Sequence, residues 1–124
     1  MKLFTITEAN EILPGVSADL TTIQKLYAKL ELYRDSARAA AGKSEAGGGM
    51  RGGSNYVKAL YEIGKMTTAL NDLGVQLKDY SKGLIDFPCM REGRVVLLCW
   101  QLGEGEKIKW WHELEAGFGG RQLL

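Results

Sequence analysis

The spacing of hydrophobic positions changes once along this chain, and the change divides it in two. Up to about residue 74 the apolar residues recur every three or four positions: Val16, Leu20, Ile23, Tyr27 and Leu30 form one seam, widened by Leu26 and Tyr33. Such a seam lies along one side of a helix that packs against a second helix. Tyr56, Leu60, Ile63, Thr67 and Leu70 form the other seam and predict a helix from about Asn55 to Leu73. After Gly74 the period falls to two, the alternation of strands with one buried face. Val75 to Asp79, "GLIDFPCM", "RVVLLCWQL" and "KIKWWHE" read as strands, with "REGR" and "GEGE" as turns between the last three. The expected fold is α+β: a long antiparallel helical hairpin, then a small antiparallel β-meander of three to four strands and a C-terminal tail. Such a meander is too small to stand alone, so one face should pack on the helices.

Local signals fix the ends of these elements. Thr5 and Glu8 form a capping box, in which the Thr5 hydroxyl accepts from the Glu8 amide while the carboxylate reaches back, so a helix starts there. Pro14 removes a backbone donor and crowds the Asn10 carbonyl, which predicts a kink or a restart. At the far end Gly74 is placed to close the second helix in a left-handed cap, with Val75 folding back on Leu70. Residues 42–54 are glycine-rich and read as a flexible connector; a phosphate-binding loop needs its lysine after the glycines, and here Lys43 precedes them. The expected organisation is one domain over 1–124, with the hairpin at 5–74 and the meander and tail at 75–124.

A strand register follows from the turns. A two-residue turn at Glu92-Gly93 pairs Arg91 with Arg94, Cys89 with Val96 and Asp86 with Cys99. A similar turn at Glu104-Gly105 pairs Cys99 with Trp110 and Leu97 with His112. One sheet face then carries Ile85, Phe87, Cys89, Val96, Leu98, Trp100 and Trp111, the natural core. The other carries Leu84, Asp86, Val95, Leu97, Cys99, Ile108, Trp110 and His112, a mixture of apolar and polar groups suited to a ligand or partner. Cys89 and Cys99 fall on opposite faces, which excludes a simple cross-strand disulfide.

Composition narrows the functional classes. The chain has 124 residues, 45% hydrophobic and 25% charged, average values for a globular protein. A formal charge of +1 supplies no field for nucleic acid, and no apolar run approaches the length of a membrane span, so neither partner is expected. The opening "MKLFTITEAN" lacks the apolar core of a secretory signal, and the protein is expected in the cytoplasm.

At "GLIDFP", "LCWQLGE" and "WHELEAGFGGRQLL", and again at the opening "FTITEANEILP", the chain resembles a bacterial family of uncharacterised proteins, domain of unknown function 2203. The resemblance covers both ends and most of the chain. It implies a shared fold and imports no activity.

The residues with chemistry to offer gather late in the chain: Asp86, Cys99, Trp110, His112, Glu113, Glu115 and Arg121 are the candidate ligand or partner site. Their spacing matches neither paired CxxC elements nor two histidines on one helical face, so no metal ligand, cofactor or catalytic residue is assigned from sequence. The plain reading of His112 is a histidine bonded to a carboxylate or a backbone carbonyl. Arg121 is expected to pin a folded-back tail by clamping Asp86, Glu113 or Glu115, with Phe118 filling an apolar gap. A helix from Pro14 to about Ala40 is roughly 40 Å long against about 30 Å for the second, and the surplus suggests a homodimer through the hairpin. The leading expectation is therefore a non-enzymatic, self-associating or partner-binding module; the alternative is a small-molecule or metal-dependent enzyme or sensor with its site around His112.

Overall fold

Thr5 opens the first helix as its sequence requires: the Glu8 amide donates to Thr5 Oγ1 and the Thr5 amide to Glu8 Oε1, each at 3.0 Å. The computed structural model describes residues 1–43 and 53–124. The connector expected at 42–54 lies outside the described residues except at its ends, which belong to helices. Among the described residues the order is α1 (Ile6–Lys43), α2 (Gly53–Leu73), then strands β1 (Gln76–Asp79), β2 (Leu84–Arg91), β3 (Arg94–Gln101), β4 (Trp110–Glu113) and, after a 3₁₀ turn at Phe118–Gly120, β5 (Gln122–Leu123). The strands form one antiparallel sheet in sequential order, β1-β2-β3-β4-β5. The fifth strand lies within the expected tail, which joins the sheet instead of merely lying on it.

Pro14 sits inside α1, and the helix runs on through it without a restart. The ring is exposed, so helix packing is not disturbed. Val16, Leu20, Ile23 and Leu30 are buried as their spacing requires, and Ala9 and Leu13 extend the seam toward the N-terminus. In α2 the buried set is Ala59, Ile63 and Leu70; Leu60 is 44% exposed, because the stripe facing α1 is centred one position earlier.

Gly74 ends α2 with φ +95°. Its amide donates to Asn71 and the Val75 amide to Leu70, the paired bonds of a Schellman ending. A side chain at Gly74 would also meet Lys2 Cβ at 2.5 Å.

The β2–β3 hairpin turns at Glu92-Gly93, both with positive φ, the two-residue turn whose twist matches the strands. It sets Arg91 opposite Arg94, Cys89 opposite Val96 and Asp86 opposite Cys99, as the sequence predicts. Pro88 is tolerated inside β2 because its carbonyl accepts from Phe4 N–H at 2.7 Å, so its nitrogen also faces away from β3 and no ladder bond is lost. The pairs Cys99–Trp110 and Leu97–His112 are also as expected. The connection that delivers them is not a tight turn at Glu104-Gly105: β3 stops at Gln101 and β4 begins at Trp110. Within that loop the Ile108 amide donates to Asn10 Oδ1 of α1 at 2.8 Å. Ile108 thereby enters the helix-side core instead of the opposite face to which alternation assigns it.

The core lies between α1 and one sheet face. Ala9, Leu13, Val16, Leu20 and Ile23 pack with Ile85, Phe87, Cys89, Val96, Leu98, Trp100 and Trp111, all buried. Phe4 meets Phe87 edge to face at 5.3 Å. Removing each such aliphatic or aromatic side chain from water contributes about 1.5–3 kcal/mol. At 38 and 21 residues the helices are about 57 Å and 31 Å long, so α1 has far more surface than α2 can cover. The sheet covers the surplus at its N-terminal half. Covering that stretch does not require a second copy.

Candidate functional site

The second sheet face is built from the residues that alternate with the core. Asp86 on β2, Cys99 on β3 and His112 on β4 point to this side, and all three are buried, at 2%, 1% and 3% exposure. Because Pro88 and Leu97 form a pair without ladder bonds, Asp86 and Cys99 two residues along do too, which is where opposed side chains approach most closely. His112 Nε2 lies 3.2 Å from each Asp86 carboxylate oxygen, and Nδ1 lies 2.7 Å from the Glu113 carbonyl. The expected carboxylate and carbonyl partners are thus both present. One donor-type atom from each of Asp86, Cys99 and His112 lies within 4.8 Å of the others, a set with the residue types of a metal site.

Cys99 and Cys89 are free thiols on opposite faces. Burial, aided by the neighbouring Asp86 charge, pushes the Cys99 thiol up to about 12. At neutral pH it is a protonated, weakly nucleophilic group when no metal cation is bound, even with the Arg121 guanidinium nearby.

Arg121 is the point at which the expected tail contacts need correction. Its guanidinium clamps Glu104 through both nitrogens, Nη1 to Oε1 at 3.1 Å, and not Asp86, Glu113 or Glu115. The eight-residue excursion between β3 and β4 swings Glu104 toward the tail, a path that a tight turn does not allow. Glu104 Oε1 also accepts from the Gln101 amide at 2.8 Å, so the carboxylate is fixed before Arg121 meets it. The guanidinium lies 4.6 Å from the Trp110 ring centre and 4.5 Å from that of Phe118, and Nη1 is 4.0 Å from Cys99 Sγ. The tail therefore closes over the second face, held by β5 pairing with β4 and by this clasp.

Two of the candidate residues fall outside the site. Glu113 alternates to the helix side, where Arg94 holds it through Nε and Nη2 and keeps its carboxyl below the usual range. Glu115 is exposed in the turn after β4. Beneath the tail lies a pocket of about 180 Å³, with Asp86, Cys99 and His112 on its lining beside Leu84, Leu114 and Phe118, and with Lys78 also lining it. Phe118 remains 47% exposed, a wall of this pocket more than a plug. Lys78, Leu114 and Glu104 were not among the sequence candidates. Glu104 carried only a turn signal, and nothing in its neighbourhood marks it as Arg121's partner.

The chain belongs to the DUF2203 family of uncharacterised conserved proteins, whose profile matches residues 2–124. No curated protein and no solved structure matches it. The Asp86–Cys99–His112 cluster and the Glu104–Arg121 clasp both lie within the DUF2203 match. Among the described residues no helix is long and apolar enough to cross a membrane.

Proposed function

We propose that this protein binds a small ligand in the pocket beneath its tail, as a sensor or carrier built on the cluster around His112. The observation that carries this reading is the contrast in burial chemistry. Among the described residues, Asp86 and His112 are the buried charged or polar side chains, and both sit with Cys99 on the lining of one pocket. A buried carboxylate is costly unless paired, and a sheet face that only had to be closed is better closed by apolar residues, as the helix side is. Polar groups converging in a small concave site with apolar walls are the form a ligand site takes. The raised Cys99 pKa favours binding over thiolate catalysis. Two thiols that cannot bridge suit a reducing compartment, and the cytoplasm is part of the same reading.

Native mass spectrometry of the protein as purified is the test. The expected result is a bound species on the wild-type chain that is lost in Asp86→Asn and His112→Gln variants. A bare chain mass, together with no movement of the His112 or Phe118 resonances in a small-molecule screen, counts against it.

The second reading is self-association through the helical hairpin. It is favoured by Val57, Leu60 and Tyr61, spaced on one stripe of α2 and 63%, 44% and 68% exposed, with Leu32 of α1 66% exposed. Sedimentation of wild type against Leu60→Glu/Tyr61→Glu tests it: a dimer that the double variant dissolves supports the interface, and a wild-type monomer at all concentrations removes it.

A further inference from the structure

We propose that Asp86, Cys99 and His112 bind a thiophilic divalent cation of the zinc type, with a fourth coordination position open to the pocket. This rests on the ligand-site reading above and names the chemistry of the ligand.

The Glu113 carbonyl can only accept, so at 2.7 Å His112 Nδ1 must carry the ring proton. In a neutral ring Nε2 then presents a lone pair, aimed at both Asp86 oxygens, at 3.2 Å from each. Lone pairs face lone pairs, and a proton or a cation has to lie between them. A proton on Nε2 or on the carboxyl is one solution, but a single charge-assisted N–H···O or O–H···N bond normally draws in to about 2.7–2.9 Å. The observed spacing, longer and shared equally by the two oxygens, is close to the edge of a coordination polyhedron. With metal–nitrogen and metal–oxygen bonds of about 2.0–2.2 Å at a tetrahedral angle, the two donor atoms stand about 3.4 Å apart, and the sulfur about 3.6 Å from either. All three donor atoms already lie within 4.8 Å of one another. Closing the set requires a shift of about 1 Å in side chains that sit on three adjacent strands.

The donor set selects the ion. A sulfur, an imidazole nitrogen and a carboxylate oxygen suit zinc and its neighbours, whereas magnesium and calcium prefer oxygen alone. The Nδ1–H bond to a backbone carbonyl is the outer contact that fixes the tautomer of a ligating histidine. Three protein ligands leave one position of a tetrahedron, as in sites that exchange a water or a substrate, whereas purely structural zinc sites are closed by four. Binding breaks the Cys99 S–H bond and releases its proton to solvent, and the resulting thiolate and carboxylate neutralise the dication. A neutral cluster is much cheaper to bury than an isolated carboxylate. Arg121, 4.0 Å from the sulfur, lies on the side where thiolate charge develops.

Cobalt(II) titration of the chelator-treated full chain tests the proposal. The expected result is one equivalent bound with a sulfur-to-cobalt charge-transfer band and tetrahedral visible absorption, displaced by zinc. Cys99→Ser should abolish the charge-transfer band while leaving the circular dichroism spectrum native, and Asp86→Asn and His112→Gln should each weaken binding at least roughly tenfold. Absence of any cobalt spectrum, an octahedral spectrum without the sulfur band, or unchanged affinity in both the Asp86 and His112 variants overturns it. Should the purified chain retain an organic molecule but take up no metal, this inference fails and the ligand-site reading stands. Absence of metal, retained molecule and pocket ligand alike sinks both.

Discussion

The two faces of the sheet are made by alternate residues of the same strands, yet they are closed in different ways. The helix side is sealed by α1, which presents Ala9, Leu13, Val16, Leu20 and Ile23 to Phe87, Leu98 and Trp100. The other side carries Asp86, Cys99 and His112 and is sealed by the chain's own tail, through two residues of β5 and the Arg121–Glu104 clasp. A long apolar seam makes a cover that is stable and hard to open. A short polar clasp makes a cover that can exchange what lies beneath it, and this difference suits one face to folding and the other to a ligand.

The contrast can be broken most severely from the helix side. Leu98→Ala, at a position with 0% exposure, should cost about 3 kcal/mol in urea unfolding; a loss below about 1 kcal/mol means that this face is not the packed one. From the tail side, Arg121→Ala should cost less, about 2 kcal/mol, since Glu104 keeps its bond from the Gln101 amide and 18% of its side-chain surface in water, but it should make the tail open to limited proteolysis. Unchanged cleavage shows that β5 holds the tail by itself. Gly74→Ala leaves both faces intact and should cost about 1–2 kcal/mol, from the positive φ and the clash with Lys2, read as a lower melting temperature.

Thr5→Ala removes one cap bond and should cost about 1 kcal/mol in the same assay.

The two thiols sharpen the comparison further. Burial raises both, Cys89 on the helix face and Cys99 on the tail face, the latter to about 12. At neutral pH native alkylation of either should be slow. Opening the tail with Arg121→Ala should speed Cys99 by roughly tenfold or more and leave Cys89 unchanged, as read by mass spectrometry of the modified peptides. In the metal-free protein the linkage has one sign. The folded-state value lies above the ordinary 9.0, so the stability contributed by keeping Cys99 protonated is full below pH 9 and is lost as pH rises through about 12.

Much of the candidate site was legible, because a two-residue turn and a period of two together determine a ladder. From Glu92-Gly93 alone, Asp86 is set opposite Cys99. His112 reaches their face through the pairing expected from a tight turn at Glu104-Gly105, and that pairing holds although an eight-residue loop replaces the turn. The same reasoning failed at Ile108 and at Arg121's partner, both for one cause. Asn10 on α1 captures the Ile108 amide, and the loop it distorts carries Glu104 to the tail. No short-range pattern encodes a bond between residues 10 and 108.

By itself the sequence determined the α+β order, the Thr5 cap, the Gly74 ending and the register of the central hairpin. These depend on backbone sterics and hydrogen bonds among near neighbours, so short stretches of chain suffice to specify them. Only the tertiary structure decided that the sheet covers the first half of α1, that Glu104 receives Arg121, and that the tail adds an edge strand beside the Asp86–Cys99–His112 cluster. Those contacts depend on sheet twist and loop paths, which are set by how the whole chain excludes water and not by the residues adjacent to each contact.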